Sequence, residues 1–97
     1  MESKIKYSQL AQRKLKEREL NQSIVEKVLR NPDLILCDLI SKTMVAIAEV
    51  EIENISTNLV IPYVKEDNTL KVVTIYPCRD MDREMKGKER LRWVRIR

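Results

Sequence analysis

Side chains that can bind and cleave a phosphodiester are grouped around the end of one apolar run. Tyr76 ends a segment rich in β-branched residues that includes Lys71, and Arg79 and Arg83 follow shortly after it. Guanidinium groups bind phosphates and stabilise the charge that develops during phosphodiester cleavage, and a phenol can transfer a proton. This grouping predicts Tyr76, Arg79 and Arg83 as the catalytic residues of a metal-independent endoribonuclease. Solvated charges beside a packed tyrosine ring are the alternative interpretation.

The composition excludes several other classes of enzyme. The chain has no histidine, which removes Ser-His-Asp triads, Cys-His pairs and histidine metal sites. One glycine cannot build a phosphate-binding loop for ATP or NAD, so we expect no cofactor. Glu49, Glu51 and Glu53 alternate and resemble a carboxylate ladder, but the solvated face of a strand has the same pattern, so we expect no metal site.

Charge is distributed unevenly along the 97 residues. Residues 1–30 hold eight Lys and Arg against four acids, residues 31–76 hold three against seven, and residues 77–97 hold eight against four. If the two basic ends meet in the fold, they form one positive face suited to RNA, the ribosome or an acidic protein partner. Mixed charge that only keeps the domain in solution is the alternative. The residues predicted to bind nucleic acid are Arg13, Arg18, Lys71, Arg92 and Arg95.

Three further residues have two interpretations each. Trp93, between Arg92 and Arg95, can stack on a base or anchor the core. Cys37 and Cys78 lack metal-ligand spacing, so buried thiols in a reducing compartment are favoured over a disulfide.

No membrane span, signal peptide or transit peptide is recognisable, and we expect a cytoplasmic protein.

The apolar periodicity predicts one α+β domain over residues 1–97 that begins with two helices. The first helix is expected over residues 9–18 with Ser8 as its N-cap. The second is capped by Asn21 or Ser23 and ends before Pro32. The residues expected to pack against a sheet are Leu10, Leu15, Val25, Val28 and Leu29.

The second half of the chain has strand periodicity and predicts an antiparallel meander of three to five strands. The strands are expected over residues 33–40, 43–52, 59–65 and 70–76. Pro62 cannot donate a hydrogen bond, so its run is expected to be an edge strand or to contain a bulge. Beyond Pro77 we expect a short helix over residues 80–87, then a strand or more helix over residues 91–96.

Two parts of the chain resemble the family called domain of unknown function 4258. Residues 7–20 and 24–32 resemble its opening of two helices joined by a turn, which ends in Asn31-Pro32, and residues 70–76 are similar to its closing strand. By this resemblance Arg13, Arg18 and Thr74 fall on family positions. The chain departs from the family at Leu10, where histidine is usual, and at Glu19, where glycine is usual.

That family is similar to the RelE and BrnT toxins, in which two N-terminal helices pack on an antiparallel sheet. The resemblance therefore implies a RelE-like toxin or a toxin-derived protein that binds RNA or the ribosome, cleaves messenger RNA and is neutralised by a cognate antitoxin protein. Because the family histidine is absent, a non-catalytic protein-protein interaction module is the alternative. The oligomeric state is left open.

Overall fold

The computed structural model describes residues 4–78 and 93–96, which form seven strands and two helices. In chain order the elements are β1 (Lys4–Tyr7), α1 (Gln9–Glu17), α2 (Gln22–Arg30), β2 (Leu34–Asp38), β3 (Thr43–Ile52), β4 (Ile55–Glu66), β5 (Thr69–Val72), β6 (Tyr76–Cys78) and β7 (Trp93–Arg95). The strands of this part of the chain form one mixed sheet in the order β1-β5-β4-β3-β2-β7, and β6 pairs with β4. All pairs are antiparallel except β1 with β5.

The predicted RelE-like fold, two N-terminal helices on an antiparallel sheet of three to five strands, is wrong. The described residues contain a seven-stranded mixed sheet, and a strand precedes the helices. β1 was missed because its four residues are too few to show a periodicity. Its parallel pairing with β5 joins parts of the chain more than sixty residues apart, from Lys4 opposite Thr69 to Tyr7 opposite Val72. The helix predicted over residues 80–87 lies outside the described residues.

The first helix begins where it makes contact with the sheet. The Ser8 hydroxyl accepts a hydrogen bond from Ala11 N at 3.0 Å, as expected of an N-cap, and donates one to Val73 O at 2.6 Å. The Ser8 backbone N–H also donates to Val72 O at 2.9 Å. These three bonds confirm the predicted cap, and two of them tie the start of α1 to the end of β5.

The same helix ends in a Schellman motif. Leu20 N donates to Leu15 O at 2.9 Å and Glu19 N donates to Lys16 O at 3.3 Å. Glu19 consequently has a φ of 51°, in the left-handed region that favours glycine. The conformation gives a physical reason for glycine to be preferred at this position.

The second helix is capped as predicted by Asn21, whose side chain accepts from Ser23 N at 2.9 Å, and it ends before Pro32. Val25 and Val28 are fully or almost fully buried against the sheet. On α1, however, Ala11 and Leu15 form the buried face, and the expectation for Leu10 is wrong because it is 43% exposed. The helix presents an i, i+4 pair to the core, and Leu10 lies to one side of it.

The long hairpin of β3 and β4 is closed by a two-residue turn, Glu53-Asn54, in which both residues have positive φ, 50° and 65°. Such a turn matches the right-handed twist of the strands, and it pairs Ile52 directly with Ile55. β3 has the predicted bounds, whereas β4 begins earlier than predicted because the turn is shorter. Nine residue pairs join the two strands.

Pro62 does not lie on an edge strand as expected, since β4 pairs with β3 on one side and with β5 and β6 on the other. Val73 N donates to Pro62 O at 2.9 Å, so the Pro62 nitrogen faces the same neighbour. The neighbour on this side is β5 followed by β6, and it is interrupted between Val72 and Tyr76. The missing N–H of Pro62 therefore faces this interruption. The predicted strand over residues 70–76 is divided into β5 and β6 at this interruption.

Both faces of the sheet bury apolar side chains. The helix-side cluster contains Ala11, Leu15, Val25, Val28, Ala46, Ala48, Leu59, Ile61, Val72 and Ile75. The cluster on the opposite face contains Leu36, Val45, Ile47, Val60 and Trp93, with Leu34, Tyr76 and Cys78 packed against it. β3 is therefore buried on both faces in its first half, while Glu49 and Glu51 near its end are exposed.

The helix-side core can be tested with two substitutions of equal charge. Val28→Asp places a carboxylate at a position that is 2% exposed, and we expect it to lower the free energy of unfolding by more than about 3 kcal/mol. Leu10→Asp lies in the exposed first turn of α1, where an acid is favourable, so its effect should stay within about 0.5 kcal/mol. Urea unfolding followed by circular dichroism compares them, and equal stabilities would contradict the assigned faces.

The Schellman turn predicts a stabilising substitution. Glu19→Gly relieves the left-handed conformation, and despite the added freedom of the unfolded chain we expect a gain of about 0.5 to 1 kcal/mol. Glu17→Gly is the matched control, because its backbone is helical and the substitution should cost about 0.5 to 1 kcal/mol. Thermal melting distinguishes them, and a loss of stability in both variants would refute the argument.

Candidate nucleic-acid interface

Tyr76, the predicted catalytic phenol, lies on the face of the sheet opposite the helices. It begins β6, pairs with Val60 and packs half-buried against the cluster that contains Trp93. Its predicted catalytic partners Arg79 and Arg83 lie outside the described residues, as does Arg92. The proposed catalytic constellation thus stays a prediction.

Lys71 is exposed on that same face, because its partner Val64 and Tyr76's partner Val60 are an even number of residues apart on β4. Four residues of strand separate the two positions by about 13 Å. Lys71 and Tyr76 therefore share a surface without being within hydrogen-bonding distance of each other.

The other residues predicted to bind nucleic acid lie elsewhere. Arg13 and Arg18 are exposed on or at the end of α1, which packs on the helix side of the sheet. The backbone of Arg95 lies in β7, four strand positions from Lys71, a distance of about 19 Å across the sheet. The described part of the chain does not bring Arg13, Arg18, Lys71 and Arg95 together in one cluster.

Two lysines that sequence reasoning missed lie beside Lys71. Lys6 is paired directly with Lys71 across the parallel β1–β5 ladder, and Lys4 occupies the next position of β1 on the same face. All three side chains are exposed, and none forms an ion pair with an acid in the described residues. We call Lys4, Lys6 and Lys71 the lysine strip. The sequence signal for these two lysines is the alternation Lys-Ile-Lys-Tyr in β1. The alternation places Lys4 and Lys6 beside Lys71 only because β1 pairs with β5.

The lysine strip does not stabilise the sheet. Like charges placed directly opposite each other on a sheet destabilise it, so Lys6 beside Lys71 weakens the β1–β5 pair. The nearest acidic residue in a strand on the same face is Glu66. It lies two strands away from Lys4, because Lys4 pairs with Thr69 and Thr69 pairs with Glu66. An anion bound over the strip would relieve this repulsion.

Trp93 is a core anchor and not a base-stacking platform, because it is only 2% exposed. Its indole Nε1 donates to Asp38 Oδ2 at 3.1 Å, while Asp38 Oδ1 accepts from Ile40 N at 3.0 Å and Ser41 N at 3.1 Å. Asp38 is 4% exposed, so these bonds satisfy a buried carboxylate. The contact holds β7 against β2 and closes the β2–β3 turn.

The carboxylates and thiols form no further site among the described residues. No group of three or more Cys, Asp or Glu in residues 4–78 and 93–96 could hold a metal ion. Glu53 leaves the Glu49–Glu51 face because it lies in the β3–β4 turn. Cys37 and Cys78 are free and half-buried, less buried than expected, on opposite faces of the sheet.

Two tyrosines on the helix side have perturbed acidities. Burial raises the pKa of Tyr63 above its ordinary value. Burial, followed by the negative charge of Glu26, raises the pKa of Tyr7 from 10.0 to about 12. The buried Tyr7 hydroxyl makes no hydrogen bond of ordinary geometry in the described residues, so the contact with Glu26 acts mainly through its charge.

The Tyr7 pKa predicts a loss of stability at high pH. Because the unfolded chain releases this proton near pH 10 and the folded chain only near pH 12, the stabilisation is complete below pH 10 and is lost as the pH rises to about 12. Tyr7→Phe removes this titration, so its free energy of unfolding should fall less than that of the parent between pH 9.5 and 11.5. Urea unfolding at several pH values measures the difference, and parallel pH profiles would contradict it.

None of the described helices is long and apolar enough to cross a membrane. No protein-family model matches the chain. Comparison with curated proteins and with solved structures also finds no match. A function for this protein is therefore inferred from the arrangement of its own residues.

Proposed function

We propose that this protein binds RNA, including structured RNA such as that of the ribosome, through the lysine strip on the face opposite the helices. The observation that carries the proposal is the direct pairing of Lys6 with Lys71 beside Lys4, all exposed and without an acidic partner among the described residues. Phosphate contacts from lysines supply most of the sequence-independent affinity for nucleic acids.

Two features of the chain support an anionic ligand of some length. The strip follows the direction of β1, in which Lys4 and Lys6 are about 7 Å apart, so it can contact successive phosphates of one strand. Residues 77–97 also carry eight Lys and Arg against four acids, so the sequence holds further positive charge for such a ligand.

The role of Tyr76 in RNA cleavage, a toxin activity and the cognate antitoxin stay predictions. Tyr76 packs its ring against the second core cluster, so Tyr76→Phe preserves the packed surface and removes only the hydroxyl. This variant separates binding from cleavage. RNA binding should be retained, and any metal-independent cleavage that requires the phenol should disappear.

The proposal predicts a salt-dependent affinity that depends on the strip. We expect a Lys4→Ala, Lys6→Ala, Lys71→Ala variant to bind a 20-nucleotide single-stranded RNA more weakly and to lower the slope of log affinity against log salt by about 2, since about three fewer counterions are released. Fluorescence anisotropy between 50 and 200 mM salt is the measurement.

The control removes the same charge elsewhere, at Lys27, Lys42 and Lys65, which lie in α2, the β2–β3 turn and the helix side of β4. It should retain most of the parent's affinity and slope. A second arm replaces Arg13 and Arg18 by Ala on the α1 side. An equal loss in the control, or a larger loss in the Arg13 and Arg18 variant, would overturn the assignment of the interface to the strip.

A further inference from the structure

The end of β3 has a backbone edge that no described strand covers. In a two-residue hairpin the residues that flank the turn form a hydrogen-bonded pair, and bonded pairs then alternate along the ladder. Ile52 and Ile55 are that flanking pair, so Glu51 and Glu49 direct their N–H and C=O groups away from β4. β2, on that outer side, begins with Leu34 opposite Ile47 and extends no further along β3.

Asp33 closes the covered part of this edge. Its backbone N–H donates to Ile47 O at 2.9 Å, and its Oδ2 accepts from Glu49 N at 3.0 Å. Beyond this point the outward groups are Glu49 C=O and both backbone groups of Glu51. Within residues 4–78 and 93–96 none of these three groups has a hydrogen-bond partner.

A groove runs along the same edge, between α2 and β3. It has a volume of about 400 Å³. Its apolar lining comes from Ile24, Val28, Ala48 and Val50, and its polar lining comes from Lys27, Asn31, Asp33, Glu49 and Glu51. Glu49 and Glu51 are exposed, and they occupy the opposite face of β3 from Ala48 and Val50. The edge thus has an apolar side and an acidic side.

We propose that this edge binds an extended segment of a partner protein, in which basic and apolar residues alternate, as an added β-strand. The three outward backbone groups of Glu49 and Glu51 pair with the segment's main chain. Its apolar side chains enter the groove beside α2, and its Lys or Arg side chains lie beside the two carboxylates. The exposed carboxylates of Glu49 and Glu51 attract cations to their own face of β3, so charge and hydrophobicity select the same orientation of the segment.

This site is separate from the RNA interface proposed above. The lysine strip lies along β1 and β5, on the other side of β4 from the β3 edge. Substitutions at Lys4, Lys6 and Lys71 should therefore leave peptide binding unchanged. The two proposals can fail independently.

The test uses the full chain and an acetylated, amidated octapeptide of alternating Lys and Val as the probe, titrated by calorimetry. Glu51→Gln removes one carboxylate but keeps the outward N–H. Glu51→Pro removes the N–H as well, without affecting the ladder to β4, and Val50 already has the extended conformation that a following proline requires. We expect Glu51→Pro to bind about tenfold more weakly than Glu51→Gln, because one more hydrogen bond is lost.

Two further peptides complete the design. Methylation of the probe's alternate amides should abolish binding to the parent protein, and this comparison carries the test should Glu51→Pro fail to fold. Replacement of its lysines by glutamates should also abolish binding. Equal affinity of the methylated peptide would show a purely electrostatic contact and overturn the proposal. Sedimentation of the protein alone checks for a second copy at this edge, and a self-association that Glu51→Pro abolishes would likewise overturn the assignment to a partner.

Discussion

The Glu53-Asn54 turn and the pairing of β3 with β4 that it sets are the constraint on which the other elements depend. With Ile52 opposite Ile55, Ala46 and Ala48 face the helices and Val45 and Ile47 face the second cluster. A shift of one residue would exchange these sets and place Glu49 and Glu51 against α2. Since no glycine is present in the turn, Glu53 and Asn54 adopt positive φ themselves, and the nine residue pairs of the hairpin outweigh the cost.

Pro62 shapes the other side of β4. Because it has no N–H to offer, the neighbouring strand cannot pair continuously there, and the chain between Val72 and Tyr76 leaves the ladder after the bond from Val73 N to Pro62 O. Ser8 uses this interruption, since its hydroxyl donates to Val73 O and its N–H to Val72 O. The central strand therefore accommodates a proline because its neighbour is interrupted there, and the interrupted segment forms hydrogen bonds with the start of α1.

The two surfaces proposed to bind ligands follow from the same sheet geometry. Alternation along β1 and β5 places three lysines on one face, whereas Ile5 and Tyr7 of β1 pack against the helix-side core. Alternation along β3 places Glu49 and Glu51 on the corresponding face at another edge. The face opposite the helices thus carries positive charge along β1 and β5 and negative charge at the end of β3, which suits a polyanion at the first and a basic peptide strand at the second.

The sequence by itself determined the elements whose signals are local. The Ser8 and Asn21 caps, the end of α2 before Pro32, the bounds of β3 and the buried face of α2 all follow from residues within a few positions of each other. Only the tertiary structure decided what depends on distant pairing: β1 beside β5, Lys6 beside Lys71, Pro62 in a central strand, and Trp93 buried against Asp38. Periodicity shows which faces of an element are apolar, but it does not show which strand lies next to which. That choice depends on hydrogen bonds and packing between segments up to sixty-five residues apart, as in the bond from Ser8 to Val73.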